Sequence, residues 1–171
     1  MQERFAENWE AAKKTELRIG AYHFFSFDSP GESQLKHFTE TVPAFDKMLP
    51  PVVDFEFYGD KKVNPPDQES VCTQLEVMLQ GLEAYYGVKP VIYATEDTLQ
   101  FYLEGRFEEY HLWIRNVVKK PDTGNRDWLF WQYTNRKRLA GYEGDETYID
   151  VNVFCGSRDD WELWSGNFKR E

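Results

Sequence analysis

Hydrophobic and polar positions along this chain switch between two periods. Short apolar runs with a period of two predict strands, and stretches with apolar residues three or four apart predict helices. Residues 1–15 predict part of a helix, with Phe5, Trp9 and Ala12 on one side, and 19–27 (Ile-Gly-Ala-Tyr-His-Phe-Phe-Ser-Phe) predict a strand. Ser29-Pro30 is a helix-start signal, followed by a stripe of Leu35, Phe38 and Val42 that stops at Pro43. A strand within 50–58 follows, then a loop with Gly59 and Pro65-Pro66. The longest helix spans 67–86, with Val71, Leu75, Met78, Leu79 and Leu82 on its stripe and Gly87 at its end. Residues 89–94 predict the next strand, and Thr95 caps a short helix through Leu103. Strands at 111–117 and 128–134, a polar turn with Gly141 and Gly144, a strand at 148–154 and a helical turn at 157–164 complete the chain.

Strand and helix alternate through the first two thirds, and strands follow one another afterwards. Alternation predicts an α/β fold with a parallel sheet covered by helices. Six strands are expected, in one domain spanning residues 1–171. Polar and aromatic residues gather at the strand ends: His23, Asp54 with Glu56, Tyr93, Gln132 with Tyr133, and Asp150. In a barrel of parallel strands, chemistry is assembled from the C-terminal ends of several strands, so this pattern favours a barrel-type enzyme.

The stretch 50–58, Pro-Pro-Val-Val-Asp-Phe-Glu-Phe-Tyr, carries the sharpest signal. Strand alternation puts Val52, Asp54, Glu56 and Tyr58 on one face and Val53, Phe55 and Phe57 on the other. Asp54 and Glu56 then sit about 6.7 Å apart along the strand, close enough for each charge to shift the other's proton affinity. Two acids beside aromatics are costly to bury unless they do chemistry or bind something. The plainer reading is a solvent-facing strand with two ordinary acids. A divalent cation is a weaker alternative, because no His or third acid lies nearby in sequence; no metal or cofactor is expected. Plain readings also stand for the others. His23 fits a hydrogen-bonded core histidine, Tyr22 and Tyr93 fit core rings, Trp113 and Trp131 fit packing, and Asp150 fits a turn acid.

Composition narrows the function. Aromatics make up 17% of the 171 residues, more than a core of this size needs, and surplus rings often stack on sugars. A formal charge of −10 argues against binding nucleic acid or an anionic membrane surface. No apolar run reaches the length of a membrane-spanning helix, and the opening Met-Gln-Glu-Arg-Phe does not read as a signal peptide. Cys72 and Cys155 have neither metal spacing nor a disulfide framework. Lys119-Lys120 and Arg136-Lys137-Arg138 read as solvated loop charges.

Six segments occur in a telling order: Gly20-Ala-Tyr-His-Phe24, Leu49-Pro-Pro-Val-Val-Asp-Phe-Glu56, Pro90-Val-Ile-Tyr93, Leu112-Trp-Ile114, Trp131-Gln-Tyr-Thr134 and Ile149-Asp-Val-Asn-Val-Phe154. Together they resemble glycoside hydrolase family 25, the Chalaropsis-type lysozymes or N-acetylmuramidases. The resemblance implies a TIM-like (β/α)5(β)3 barrel that cleaves the β-1,4 bond between N-acetylmuramic acid and N-acetylglucosamine in peptidoglycan, outside the cell or in its wall. It assigns Glu56 as general acid, Asp54 as the carboxylate assisting the substrate's acetamido group, and Asp150 as the acid of the last strand. It places Tyr22, His23, Tyr93, Trp113, Gln132 and Tyr133 on the groove wall, with His23 in support. Negative Asp54 and apolar neighbours are expected to raise the proton affinity of Glu56.

The sequence departs from that family in two places. The family opens with a strand bearing Gly-Ile-Asp-Val-Ser and then a second strand, and neither has a match here. A barrel lacking its first two strands is therefore expected, with exposed edges on 19–27 and 148–154 and association between chains as one outcome. The second departure is Arg115-Asn116-Val117, where the family continues with a small residue and an aromatic. A glycan-binding remnant without turnover is the competing class, and a hydrolase of chitin-like polymers is a third.

Overall fold

A computed structural model describes residues 4–46, 48–142 and 147–166. The first residues of the expected N-terminal helix, Met1 to Glu3, and the turn glycine Gly144 lie outside the described residues.

The helices form where the periodicity placed them. In α1 (Phe5–Ala12), Phe5 stacks on Trp9, which is buried against the edge of Phe45. The second helix, α2 (Gly31–Thr41), starts directly after Pro30. The third, α3 (Gln68–Tyr86), is bounded by the residues read as its stops. Asp67 accepts a hydrogen bond from the Ser70 amide at 2.9 Å, and Gly87 closes the helix at φ 70°, a conformation glycine adopts without strain. All five apolar stripe residues of α3 are buried. Thr95 makes a capping box with Thr98 at the head of α4 (Glu96–Thr98), which continues as a π-helical turn over Leu99–Leu103.

Six strands form one sheet in chain order: β1 (Tyr22–Phe24), β2 (Val52–Phe55), β3 (Val91–Thr95), β4 (Leu112–Arg115), β5 (Phe130–Lys137) and β6 (Ile149–Phe154). Neighbours from β1 to β5 run parallel, and β6 runs antiparallel to β5. A short last helix, α5 (Arg158–Gly166), follows. The architecture is a mixed α/β fold with a sheet curled into half a barrel. Its convex face buries Val53, Phe55, Ile92, Ala94, Leu112 and Ile114 completely, and α3 supplies Leu75, Met78, Leu79 and Leu82 to the same core. Burying each of these side chains larger than alanine contributes about 1.5–3 kcal/mol, so this layer fixes the curvature of the concave face.

Several boundaries differ from the sequence reading. The strand expected over 19–27 pairs regularly only at Tyr22–Phe24, although the Leu49 amide still donates to Ile19 and the Phe25 amide to Asp54. β2 ends at Phe55, so Glu56 stands just past the strand. The strand expected over 128–134 lies at Phe130–Lys137, because two register shifts let its charged tail reach Ile149 of β6. β1 and β6 are the outer strands of the sheet, as expected.

Candidate active site

The register stacks inward-facing residues in rows across the concave face. Tyr22, Val52 and Val91 form the lowest row. Asp54, Tyr93, Trp113 and Phe130 form the next, and Arg115, Gln132 and Asn152 lie above them. All of these line a single open cleft of about 790 Å³. Glu56 joins them from just beyond the end of β2. Asp150 joins from the start of β6, because an antiparallel strand brings its beginning to the rim where the parallel strands end. Trp161 and Trp164 of α5 pack on Phe130 and Phe154 and also face this space.

The strands are braced across the cleft by side chains. The Tyr93 hydroxyl donates to Gln132 Oε1, and Trp113 Nε1 donates to Asn152 Oδ1 at 2.8 Å. Each bond skips one strand, which a flat sheet with strands about 4.8 Å apart would not favour; inward curl brings the side chains together.

Proton affinities in the cleft are shifted. Burial lifts the Asp54 carboxyl to about 7, and the charge of Glu56 adds to the lift. One Asp54 oxygen, Oδ1, is buried without a hydrogen-bond partner among the described residues, which disfavours its charged form. Glu56 is also raised, first by burial and then by Asp150, while Arg115 opposes the rise. The expectation that apolar surroundings and negative Asp54 raise the proton affinity of Glu56 holds for the surroundings, since burial is the largest cause, and differs in the anion. Asp150 is the anion acting on Glu56, and Glu56 in turn acts on Asp54. Burial also pushes the Tyr93 hydroxyl well up, keeping it a neutral donor.

Seven of the nine residues singled out by sequence meet in the cleft: Asp54, Glu56, Asp150, Tyr22, Tyr93, Trp113 and Gln132. The other two do not. His23 lies on the opposite face of β1 from Tyr22, where its Nε2 bonds to Gln34 Oε1 at 3.0 Å and its ring meets Phe38. Burial lowers its proton affinity, and the core reading describes it. Tyr133 sits on the other side of β5 from Gln132, exposed beside Trp131. Tyr58, expected on the face of Asp54 and Glu56, turns away past the end of β2. Its hydroxyl accepts from the Phe27 amide and donates to Asp28. Sequence reasoning missed Asn135, Asn152, Trp161 and Trp164 as lining residues. The period of two in 149–154 would have found Asn152 from Asp150, but nothing in the sequence aimed α5 at the cleft. Among the described residues, no group of three or more His, Cys, Asp and Glu side chains is placed to hold a metal ion.

Comparison with known proteins adds three observations. The family described as glycosyl hydrolases family 25 matches residues 1–142. The chain is 30% identical over 166 residues to the YegX protein of Escherichia coli O157:H7, and 28% identical over 174 residues to Lysozyme M1 of Streptomyces globisporus. The match covers 96% of this chain but 58% of YegX, and 91% of this chain but 55% of Lysozyme M1. Among solved structures, a family 25 glycosyl hydrolase from Bacillus anthracis superposes with a TM-score of 0.89 at 47% identity, covering 95% of this chain and 76% of that one. The bacterial lysozyme from Streptomyces coelicolor shares the fold, with a TM-score of 0.79 at 23% identity and coverage of 97% and 80%.

Proposed function

The chain belongs to glycosyl hydrolase family 25, and from that premise we propose that it hydrolyses peptidoglycan as a muramidase, at the β-1,4 bond between N-acetylmuramic acid and N-acetylglucosamine. The observation that carries the reading is the meeting of Asp54, Glu56 and Asp150 in one sugar-sized cleft walled by Tyr93 and Trp113. The name of its sequence relative, Lysozyme M1 of Streptomyces globisporus, points the same way. The six-stranded sheet fits the greater part of a (β/α)5(β)3 barrel, with no further strands among the described residues.

Glu56 is the general acid in this reading. A general acid must hold its proton near neutral pH until the leaving oxygen needs it, and burial together with Asp150 favours the protonated form. Asp54 assists from the row below. Substrate chemistry suits it to the acetamido group: as the bond to the leaving sugar lengthens, the acetamido oxygen attacks the anomeric carbon, and an acid beside the amide N–H stabilises the charge that develops there. Both acids reach the cleft from the same side of one strand, whereas direct inversion needs the second carboxylate to activate a water on the opposite face of the sugar ring. Water, giving its proton to the now anionic Glu56, then opens the cyclic intermediate at the anomeric carbon with a second inversion, so the product keeps its configuration, and an inverted first product by NMR would remove this mechanism. Tyr22 and Trp113 hold the sugar, and Gln132 braces the floor beneath it through Tyr93.

Clearing of cell-wall suspensions tests the activity, with Glu56→Gln as the control. Wild-type clearing that Glu56→Gln abolishes supports the reading. A competing reading, glycan binding without turnover, is favoured by one observation: among the described residues Asp54, Glu56 and Asp150 are the only carboxyls lining the cleft, and none of them corresponds to the acid of the family's Gly-Ile-Asp-Val-Ser strand. If wild type and Glu56→Gln both sediment with walls and neither clears them, that second reading stands.

A further inference from the structure

We infer that Arg115 is a carboxylate-recognition group, selecting glycans that carry an anionic substituent beside the bond to be cleaved. The inference rests on the peptidoglycan reading above and names a residue that reading does not use.

Arg115 ends β4 and pairs with Thr95 on one side and Gln132 on the other, which aims its side chain into the cleft. It is partly buried there. A guanidinium offers five N–H donors, and among the described residues that of Arg115 makes no side-chain hydrogen bond and no ion pair within 4 Å. Its charge is nonetheless felt by Glu56 and Tyr93, so it stands close to the acids without being neutralised by one. A partly desolvated cation with unused donors is a poor structural element and a good receptor for a planar anion.

The backbone beneath it is held in place. Asn116, the next residue, donates from Nδ2 to Glu96 Oε1 at 2.8 Å, and its amide donates to Gln132 O at 3.2 Å. Its side-chain oxygen accepts from the amides of Val118 and Lys119, both at 3.0 Å, and its carbonyl accepts from Trp131 Nε1 at 2.8 Å. Five hydrogen bonds on one residue fix the direction in which Arg115 leaves the strand, which is how a recognition group is preorganised. The Arg115-Asn116 pair is thus a built unit: one residue reaches for the ligand and the other anchors it.

Peptidoglycan presents carboxylates from two sources, the lactyl ether of muramic acid once its peptide is removed, and the side chains and terminus of the peptide itself. Both offer the same planar anion. Polymers of N-acetylglucosamine offer none.

Binding decides the matter, and it does not require turnover. Dissociation constants are measured in the Glu56→Gln background for three soluble probes: muramyl glycan fragments with peptide, the same fragments after peptide removal, and uncharged N-acetylglucosamine oligomers. We expect at least one carboxylate-bearing probe to bind more tightly than the uncharged oligomer. Adding Arg115→Gln should then weaken that probe about tenfold or more and erase the preference, and Arg115→Lys should restore part of it. Loss confined to the peptide-free fragment assigns the lactyl group, and loss confined to the peptide-bearing fragment assigns the peptide. Equal weakening of all three probes, or none, overturns the inference while leaving the muramidase reading intact. Failure of every probe to bind the Glu56→Gln protein overturns both.

Discussion

The hydroxyl of Tyr93 on β3 donates to the side-chain oxygen of Gln132 on β5, passing over β4 at the floor of the cleft. Gln132 is 4% exposed, so its amide has little access to water as a substitute partner. Tyr93→Phe removes the donor and leaves a buried acceptor unpaired, which costs about 1–3 kcal/mol. The melting temperature should fall by roughly 2–4 °C per kcal/mol for a chain of this length. Tyr133→Phe, one residue past Gln132 but exposed, is the control and should leave the melt nearly unchanged. Equal effects of the two substitutions would mean the cross-strand bond does not hold the cleft together.

Two charges act on Glu56 with opposite signs, and the pH dependence of wall hydrolysis should separate them. With Glu56 as the proposed general acid, activity needs it protonated and should be lost as pH rises through the Glu56 pKa. Asp150 raises that pKa, so Asp150→Asn should move the alkaline limb to lower pH in whatever activity remains. Arg115 lowers it, so Arg115→Gln should move the limb to higher pH. Limbs that shift in the same direction would show that Glu56 does not set this side of the profile.

Much of this arrangement was legible in the chain, for physical reasons. The α3 boundaries were readable because Asp67 and Gly87 act locally, one through its side chain and the other through a left-handed backbone. The pairing of Asp54 with Glu56 was readable because the strand period is local too. What failed depended on where a strand stops. Tyr58 obeys alternation only if β2 continues to it, and β2 ends at Phe55. For His23 only the groove-wall place implied by the resemblance fails; the pleat turns it to Gln34 on α2, as the plain reading of a hydrogen-bonded core histidine has it. Trp161 and Trp164 were hidden because the docking of a terminal helix against Phe130 and Phe154 is purely tertiary.

The contact between α2 and α3 depends on two glycines of unequal tolerance. A Cβ on Gly31 would stand 2.1 Å from the backbone carbonyl oxygen of Gln74, and backbone cannot step aside. A Cβ on Gly81 would stand 2.1 Å from Leu35 Cδ2, the free end of a flexible side chain. Gly31→Ala should therefore destabilise by about 1–3 kcal/mol, as overpacking does. Gly81→Ala should cost less, because Leu35 can change rotamer and alanine gains up to about 1 kcal/mol in helix propensity. Urea unfolding of both variants checks the order, and the reverse ranking would contradict the close approach of the two helices.

Asp54 links the chemistry of the cleft to the stability of the fold. Its carboxyl titrates near 3.8 when the chain is unfolded and at about 7 when folded. Between those values the folded state holds a proton that the unfolded state has released. Folding stability from this group therefore falls as pH rises from about 4 to about 7, with a slope of at most about 1.4 kcal/mol per pH unit, and the deficit is fully developed above 7. Asp54→Asn cannot ionise and escapes that deficit, while the smaller contribution of Glu56, of the same sign, persists in both proteins. The variant should accordingly melt progressively higher than wild type across that window, with a constant gap above it, and hydrolyse walls poorly throughout. Melts at pH 4, 5.5, 7 and 8 measure the gap. A difference that stays flat from pH 4 to 8 would show that Asp54 carries an ordinary carboxylate, and that the cleft is wetter than its geometry implies.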